Sequence, residues 1–125
     1  VDVVADAHDL APFADAAFDA VIAVSVWEHL ARPWLAATAV ARVLDAGGVC
    51  YIGTHQSFPI HGYPHDFFRF TQAALSLLFT DAGLVEPVTG YQYPCRITPP
   101  REVTRWNTAA EAYLNVDLCA RKPAG

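Results

Sequence analysis

Residues 61–71 read HGYPHDFFRFT, and they bring chemistry-bearing groups close together in the chain. His61 and His65 offer imidazole nitrogens that can ligate a metal or move a proton near neutral pH. Asp66 offers a carboxylate and Arg69 a guanidinium fork. His55 stands six residues upstream of His61. A metal site needs three or four such ligands converging in a defined geometry. His61 and His65 are four apart, a spacing that aligns two side chains on a helix. Gly62 and Pro64 lie between them and work against a helix. No metal site is therefore expected there. Phe67, Phe68 and Phe70 can pin the segment to a core, and Arg69 can pair with Asp66 or contact a ligand.

The surrounding elements must position these groups. Val1–Ala5 is a short β-type run ending in Asp6-Ala7, and His8–Ala17 has the composition of a loop. Phe18–Val24 is almost continuously apolar, as in a strand buried on both faces. Pro33 suits the first turn of a helix, and Ala36, Val40, Val43 and Leu44 then form one apolar stripe. Gly47-Gly48 ends that helix, and Val49–Thr54 makes the next strand. Thr71 is a natural N-cap for a helix whose stripe is Ala74, Leu75, Leu78, Phe79 and Ala82, closed by Gly83. Leu84–Val88 reads as a strand, Pro94–Arg105 as a loop, and Tyr113–Ala120 as a final strand.

Strands alternating with helices predict an α/β fold with a largely parallel sheet and flanking helices. Ligands of such sheets lie outside the carboxyl ends of the strands. Asp6-Ala7, the stretch from Ser25 to His29, and the stretch from Thr54 to Phe70 each follow a strand. All three are expected on one rim.

Composition narrows the function. The chain has 125 residues, is 54% hydrophobic and carries a formal charge of −5. That is enough for one core-bearing domain, and the acidic balance with a single lysine disfavours nucleic-acid binding. No apolar run is long enough to span a bilayer, and no signal peptide is visible, so no membrane association and a cytoplasmic location are expected. Cys50, Cys95 and Cys119 are scattered and odd in number, which suits reduced thiols. The chain opens at Val1 and contains no Met. Both features point to a portion of a longer protein.

The residues also resemble a family. "VVADAHDLAPFADAAFDAVIAVSVWEHL…ARVLDAGGVCYIGT" resembles the second half of a class I S-adenosylmethionine-dependent methyltransferase. A strand ending in Asp-Ala, a Leu-Pro-Phe-like loop, Phe-Asp-x-Val, Glu-His, and Arg-Val-Leu-x-x-Gly-Gly follow one another in that family's order. "PHDFFRFTQAALSLLFTDAGL" is similar to a segment found in a subset of these enzymes. The loop Asp9-Leu10-Ala11-Pro12-Phe13 is one residue longer than usual, and Asp45-Ala46 replaces the common Lys-Pro. The family's Gly-x-Gly loop and the acidic residue after the next strand have no counterpart, since no Gly-x-Gly occurs in the chain.

The resemblance implies a Rossmann-like sheet lacking its first two strands, with residues 1–125 as the C-terminal part of one methyltransferase domain. It implies S-adenosylmethionine as cofactor and a small-molecule oxygen or nitrogen nucleophile as acceptor. Asp6 would accept from the adenine amine, Ala7 would offer its backbone N–H, and Ser25 would lie at the methionine portion. His29, next to Glu28, is the candidate general base. His61, Tyr63 and Arg69 are the candidate substrate-side contacts. Asp19 is expected at the far end of its strand, and Trp27 and Trp34 are expected to serve packing. The alternative is a binding domain of the same fold without methyl transfer. A dehydrogenase is disfavoured by the Asp-Ala and Glu-His placements.

Overall fold

The computed structural model describes residues 2–62, 64–103 and 111–125. Four strands form one sheet: β1 (Phe18–Val24), β2 (Leu44–His55), β3 (Val85–Cys95) and β4 (Ala112–Arg121). Two helices join them, α1 (Pro33–Val43) and α2 (Gln72–Asp81), with a short 3-10 turn at Trp27–His29. The order across the sheet is β1-β2-β4-β3.

β1 and β2 run parallel, linked through α1, so their carboxyl ends share a rim. β4 pairs antiparallel with both β2 and β3. The α/β architecture is the expected one, but only one of these three pairings is parallel. The difference arises after α2. The chain enters β3 at the sheet edge, then doubles back so that β4 inserts between β3 and β2. Such a return needs no crossover helix, and antiparallel pairing follows.

Alternation along the strands sets the core. Cys50 and Ile52 of β2 pair with Ala120 and Leu118 of β4, and all four are buried on one face. α1 and α2 cover that face with Ala36, Val40, Leu75 and Phe79. Fully burying a side chain such as Phe79 stabilises by about 1.5–3 kcal/mol. Pro33 occupies the start of α1 as expected, and Thr71 Oγ1 accepts from Ala74 N at 3.1 Å to cap α2. Gly83 takes φ +95° just past α2, a conformation that suits glycine.

Four local expectations change. β1 is not buried on both faces: Val21 and Ala23 pack inward, while Ile22 and Val24 are 74% and 60% exposed. Among the described residues β1 has one neighbouring strand, and helices cover only the inner face. Asp2–Ala5 forms no strand, because no described strand lies beside it to supply a ladder. Gly47-Gly48 does not terminate α1. The helix ends at Val43, Leu44 is already extended, and the glycines sit in an irregularity between the Phe18–Leu44 and Ala20–Val49 pairs. A Cβ on Gly48 would lie 2.8 Å from the Asp45 carbonyl oxygen, so the kink requires glycine there. β3 also runs further than expected, through Pro94 and Cys95. No described helix is long and apolar enough to cross a membrane.

Candidate active site at the carboxyl rim

Ser25 follows β1 directly. Its N–H donates to the Gly53 carbonyl at 2.9 Å, and its φ is +57°. A non-glycine residue in this left-handed region costs about 1–2 kcal/mol. Such strain is a common mark of functional turns. The turn sends the chain into Trp27–His29, where Trp27 packs on Phe79 with ring centroids 5.2 Å apart. This anchor carries Glu28 into the interior, fully buried.

Glu28 is the hub of the rim. Its Oε2 accepts from Thr54 Oγ1 at 2.6 Å, joining the 3-10 turn to the end of β2. Its backbone carbonyl accepts from the N–H groups of Phe67 and Phe68, which fastens the aromatic segment. Its Oε1 is buried without a hydrogen-bond partner. Three imidazole Nε2 atoms surround that oxygen: His55 at 3.4 Å, His29 at 3.6 Å and His61 at 3.7 Å. They come from β2, the 3-10 turn and the loop after β2.

The other imidazole nitrogens are engaged. His29 Nδ1 lies 2.8 Å from the His65 carbonyl, His61 Nδ1 3.0 Å from the Pro59 carbonyl, and His55 Nδ1 3.0 Å from Asn115 Oδ1. Carbonyl oxygens only accept, so each Nδ1 carries a proton, and in a neutral ring the Nε2 then presents a lone pair. The rings are held by contact as well. His55 stacks on Phe58 at 4.1 Å, and His61 meets His29, His55 and Phe58 edge-on. Gly62, at φ +90°, lies against His29, where an added Cβ would fall 2.3 Å from Cε1.

Arg69, expected as a substrate contact, spends its donors inside the loop. It forks onto Asp66 at 2.6 and 2.7 Å and reaches the carbonyls of Phe58, Pro59 and Phe68. All five N–H groups are engaged, leaving none for a ligand. The fork holds the Asp66 carboxyl well below the ordinary carboxylate range, with help from the His61 N–H. Asp66 in turn raises the Arg69 guanidinium. Phe70 closes the segment, its N–H on the His55 carbonyl.

His61 and His65 do not converge, in keeping with the glycine and proline between them; His65 contributes its carbonyl. A spacing of four residues does not carry the long-range approach of His61, His29 and His55 to Glu28. Glu28 and Thr54 carried no individual role in the sequence reading. The signal available was a Glu-His pair and a Thr-His pair, each at the end of a strand. Tyr63 lies outside the described residues.

The Asp6 loop stands beside the start of α1. Asp6 Oδ1 accepts from His8 N at 2.9 Å and from His8 Nδ1 at 2.8 Å, and these bonds lower the Asp6 carboxyl below its usual range. His8 Nε2 accepts from the Arg32 N–H, tying the loop to the helix. Arg42 on α1 clamps the rest through the carbonyls of Asp9, Leu10 and Phe13. Among the described residues no donor reaches Asp6 Oδ2, so an acceptor oxygen is left open on this exposed side chain. An exocyclic amine suits that oxygen, and the residues fit the adenine end of S-adenosylmethionine.

A family model described as a methyltransferase domain matches residues 1–52, the stretch that carries Asp6, Ala7, Ser25, Glu28 and His29. No curated protein matches the chain. Solved structures do. An S-adenosylmethionine-dependent methyltransferase from Archaeoglobus fulgidus superposes with a TM-score of 0.71 at 14% identity, covering 96% of this chain and 66% of its own. One from Thermotoga maritima gives 0.66 at 22% identity, covering 94% and 62%. The [4+2]-cyclase SpnF gives 0.66 at 19% identity, covering 98% and 56%. The chain thus spans less than two thirds of the length of each of these three. It has the Rossmann-like fold of the class I S-adenosylmethionine-dependent methyltransferases, and its first 52 residues match their methyltransferase-domain family.

Proposed function

We propose that residues 1–125 form the C-terminal part of one methyltransferase domain, which uses S-adenosylmethionine to methylate an oxygen or nitrogen of a small molecule. The observation that carries this reading is the methyltransferase-domain match over residues 1–52, within which Ser25, Glu28 and His29 follow the carboxyl end of β1. When bound, the cofactor supplies a sulfonium methyl, whose carbon–sulfur bond breaks as the acceptor's lone pair bonds to carbon.

The chain's own part is positioning. Asp6 Oδ2 and the Ala7 N–H hold the adenine end. The left-handed turn at Ser25 shapes the path of the methionine end. His29 and His61, with side chains 30% and 31% exposed, line the acceptor side. Holding two reactants in line supplies much of the acceleration of such a displacement. His29 Nε2 is the lone pair available to an acceptor proton. Arg69 belongs to the framework of this side and makes no contact with substrate. Three free cysteines support a reducing, cytoplasmic setting.

The second reading is a binding domain without methyl transfer. The likeness to a [4+2]-cyclase supports keeping it, since the same fold serves other chemistry. Titration calorimetry with S-adenosylmethionine separates the readings, on this chain and on one lengthened at its amino end. Binding that weakens at least tenfold with Asp6→Ala supports methyltransferase use of this rim. Absence of binding in a lengthened chain that carries a glycine loop removes the first reading.

A further inference from the structure

We propose that Glu28, His29, His61 and His55 form a binding site for a divalent transition-metal ion of the zinc class. Four observations converge on it. The first is electrostatic. Glu28 Oε1 is a fully buried acceptor with no hydrogen-bond partner, and the three Nε2 atoms 3.4–3.7 Å away are themselves acceptors when their rings are neutral. Lone pairs aimed at one another repel, and an unpaired buried oxygen is costly. A cation among them turns four repelling atoms into four ligands.

The second is distance. Tetrahedral zinc with arms of about 2.0–2.1 Å sets neighbouring ligand atoms roughly 3.3–3.4 Å apart. The three Nε2 atoms stand 3.4, 3.6 and 3.7 Å from Oε1. Ligand atoms of Glu28, His29 and His61 all lie within 4.8 Å of one another. These three form the core; His55 Nε2 stands 3.4 Å from Oε1 but outside that group, and has to move inward to join as the fourth ligand.

The third is the outer support. Metal-bound imidazoles almost always donate their other nitrogen to a carbonyl or carboxylate, which fixes tautomer and orientation. His29, His61 and His55 do this, through the His65 carbonyl, the Pro59 carbonyl and Asn115 Oδ1. Glu28 is held by Thr54. Gly62 makes room for His29 where any side chain would displace it.

The fourth is access. Glu28 and His55 are 0% and 9% exposed, and His29 and His61 30% and 31%, so the site is buried behind and open in front. Imidazole and carboxylate without thiolate suit zinc, iron, cobalt or nickel better than magnesium or calcium. With four protein ligands the ion is closed to substrate, and His29 is then a ligand in place of a base.

The site does not rest on methyl transfer, and its test requires none. The untagged 125-residue chain is stripped of metal and titrated with Zn²⁺ by calorimetry and with Co²⁺ by visible absorption. The expected result is one equivalent bound, with intense d–d bands of a four-coordinate Co²⁺ site that Zn²⁺ displaces and Mg²⁺ does not. His61→Ala, on the exposed side, is expected to weaken binding at least tenfold while the far-UV circular dichroism is retained; His29→Ala provides a second variant should the first not fold. Failure to take up either ion overturns the proposal. So does uptake unchanged by both variants, or an NMR spectrum of the metal-loaded sample in which the three Nε2 atoms are unshifted. Loss of cofactor binding with metal uptake intact would count against the proposed function alone.

Discussion

Thr54 Oγ1 donates to Glu28 Oε2 at 2.6 Å, a bond between the end of β2 and the turn after β1 that lies wholly out of solvent. It orients the carboxylate so that its other oxygen faces three histidines. The two residues are 26 apart in the chain. Their contact exists because β1 and β2 run parallel and end on the same rim.

Replacing Thr54 by Val keeps the shape and removes the donor. The buried Oε2 then has no partner from β2, and a loss of about 1–3 kcal/mol is expected. Thr54→Ser should recover most of it. Urea unfolding of the three proteins measures the difference, and a Val variant as stable as the parent would rule out a structural role for the bond.

Gly62 is a second sensitive point. Its φ of +90° and its contact with His29 both oppose a side chain. Gly62→Ala should displace the His29 ring and weaken its bond to the His65 carbonyl. The expected readout is a change in the His29 Nδ1 and Nε2 NMR shifts, together with metal affinity reduced about tenfold or more, the scale of effects seen when the support of a ligand is disturbed. Unchanged His29 resonances would contradict the packing.

Arg69 tests the loop. Arg69→Ala removes the donors to the Phe58 and Pro59 carbonyls and leaves Asp66 with the His61 N–H alone. A destabilisation of about 1–2 kcal/mol is expected from the lost carbonyl bonds. Arg69→Lys keeps the charge but not the fork, and should recover less than half. If S-adenosylmethionine binding proves measurable, the variant's effect on it should follow the loss of folded protein, since no Arg69 donor is free for a ligand.

Asp6 supplies a pH signature. Its carboxyl is lowered by the His8 backbone N–H and then by the His8 ring, so the folded value lies below the ordinary range near about 3.9. A depressed folded value contributes stability above the unfolded pKa and loses it as pH falls toward the folded value. The Asp6–His8 turn should therefore persist at pH 5 and open only in more acidic solution. A ¹³C titration of the Asp6 carboxyl should give a midpoint below that of a model peptide, and His8→Ala should raise it only part of the way, since the backbone N–H of residue 8 remains. A midpoint at the peptide value would remove the turn from the account.

Much of the architecture was legible in the chain. The stripes Ala36-Val40-Val43 and Leu75-Phe79 lie buried against the sheet, and Thr71 caps α2. These are local properties, set by the 3.6-residue period and by a hydroxyl three residues before an open amide. The shared rim after β1 and β2 was legible too, because parallel strands joined by a helix must end on the same side; the strand expected before Asp6 was not found. The extent of β3 and the end of α1 were not legible. Pro94 lies within a strand and Leu44 breaks a helical stripe, and both outcomes depend on partners distant in sequence.

The candidate site divides the same way. Residue types alone determined that chemistry gathers after two strand ends, a Glu-His after β1 and the run from His55 to Arg69 after β2, while the strand expected before Asp6-Ala7 did not form. Tertiary structure decided which of these groups meet. It engaged the five donors of Arg69 within the loop, and it put Glu28, hidden between Trp27 and His29 in sequence, among three histidines. Hydrogen-bond partners and lone-pair directions are properties of folded geometry. A spacing of 4 or of 26 residues does not carry them, and only the packing of β1, β2 and the aromatic loop brings three Nε2 atoms to one buried oxygen.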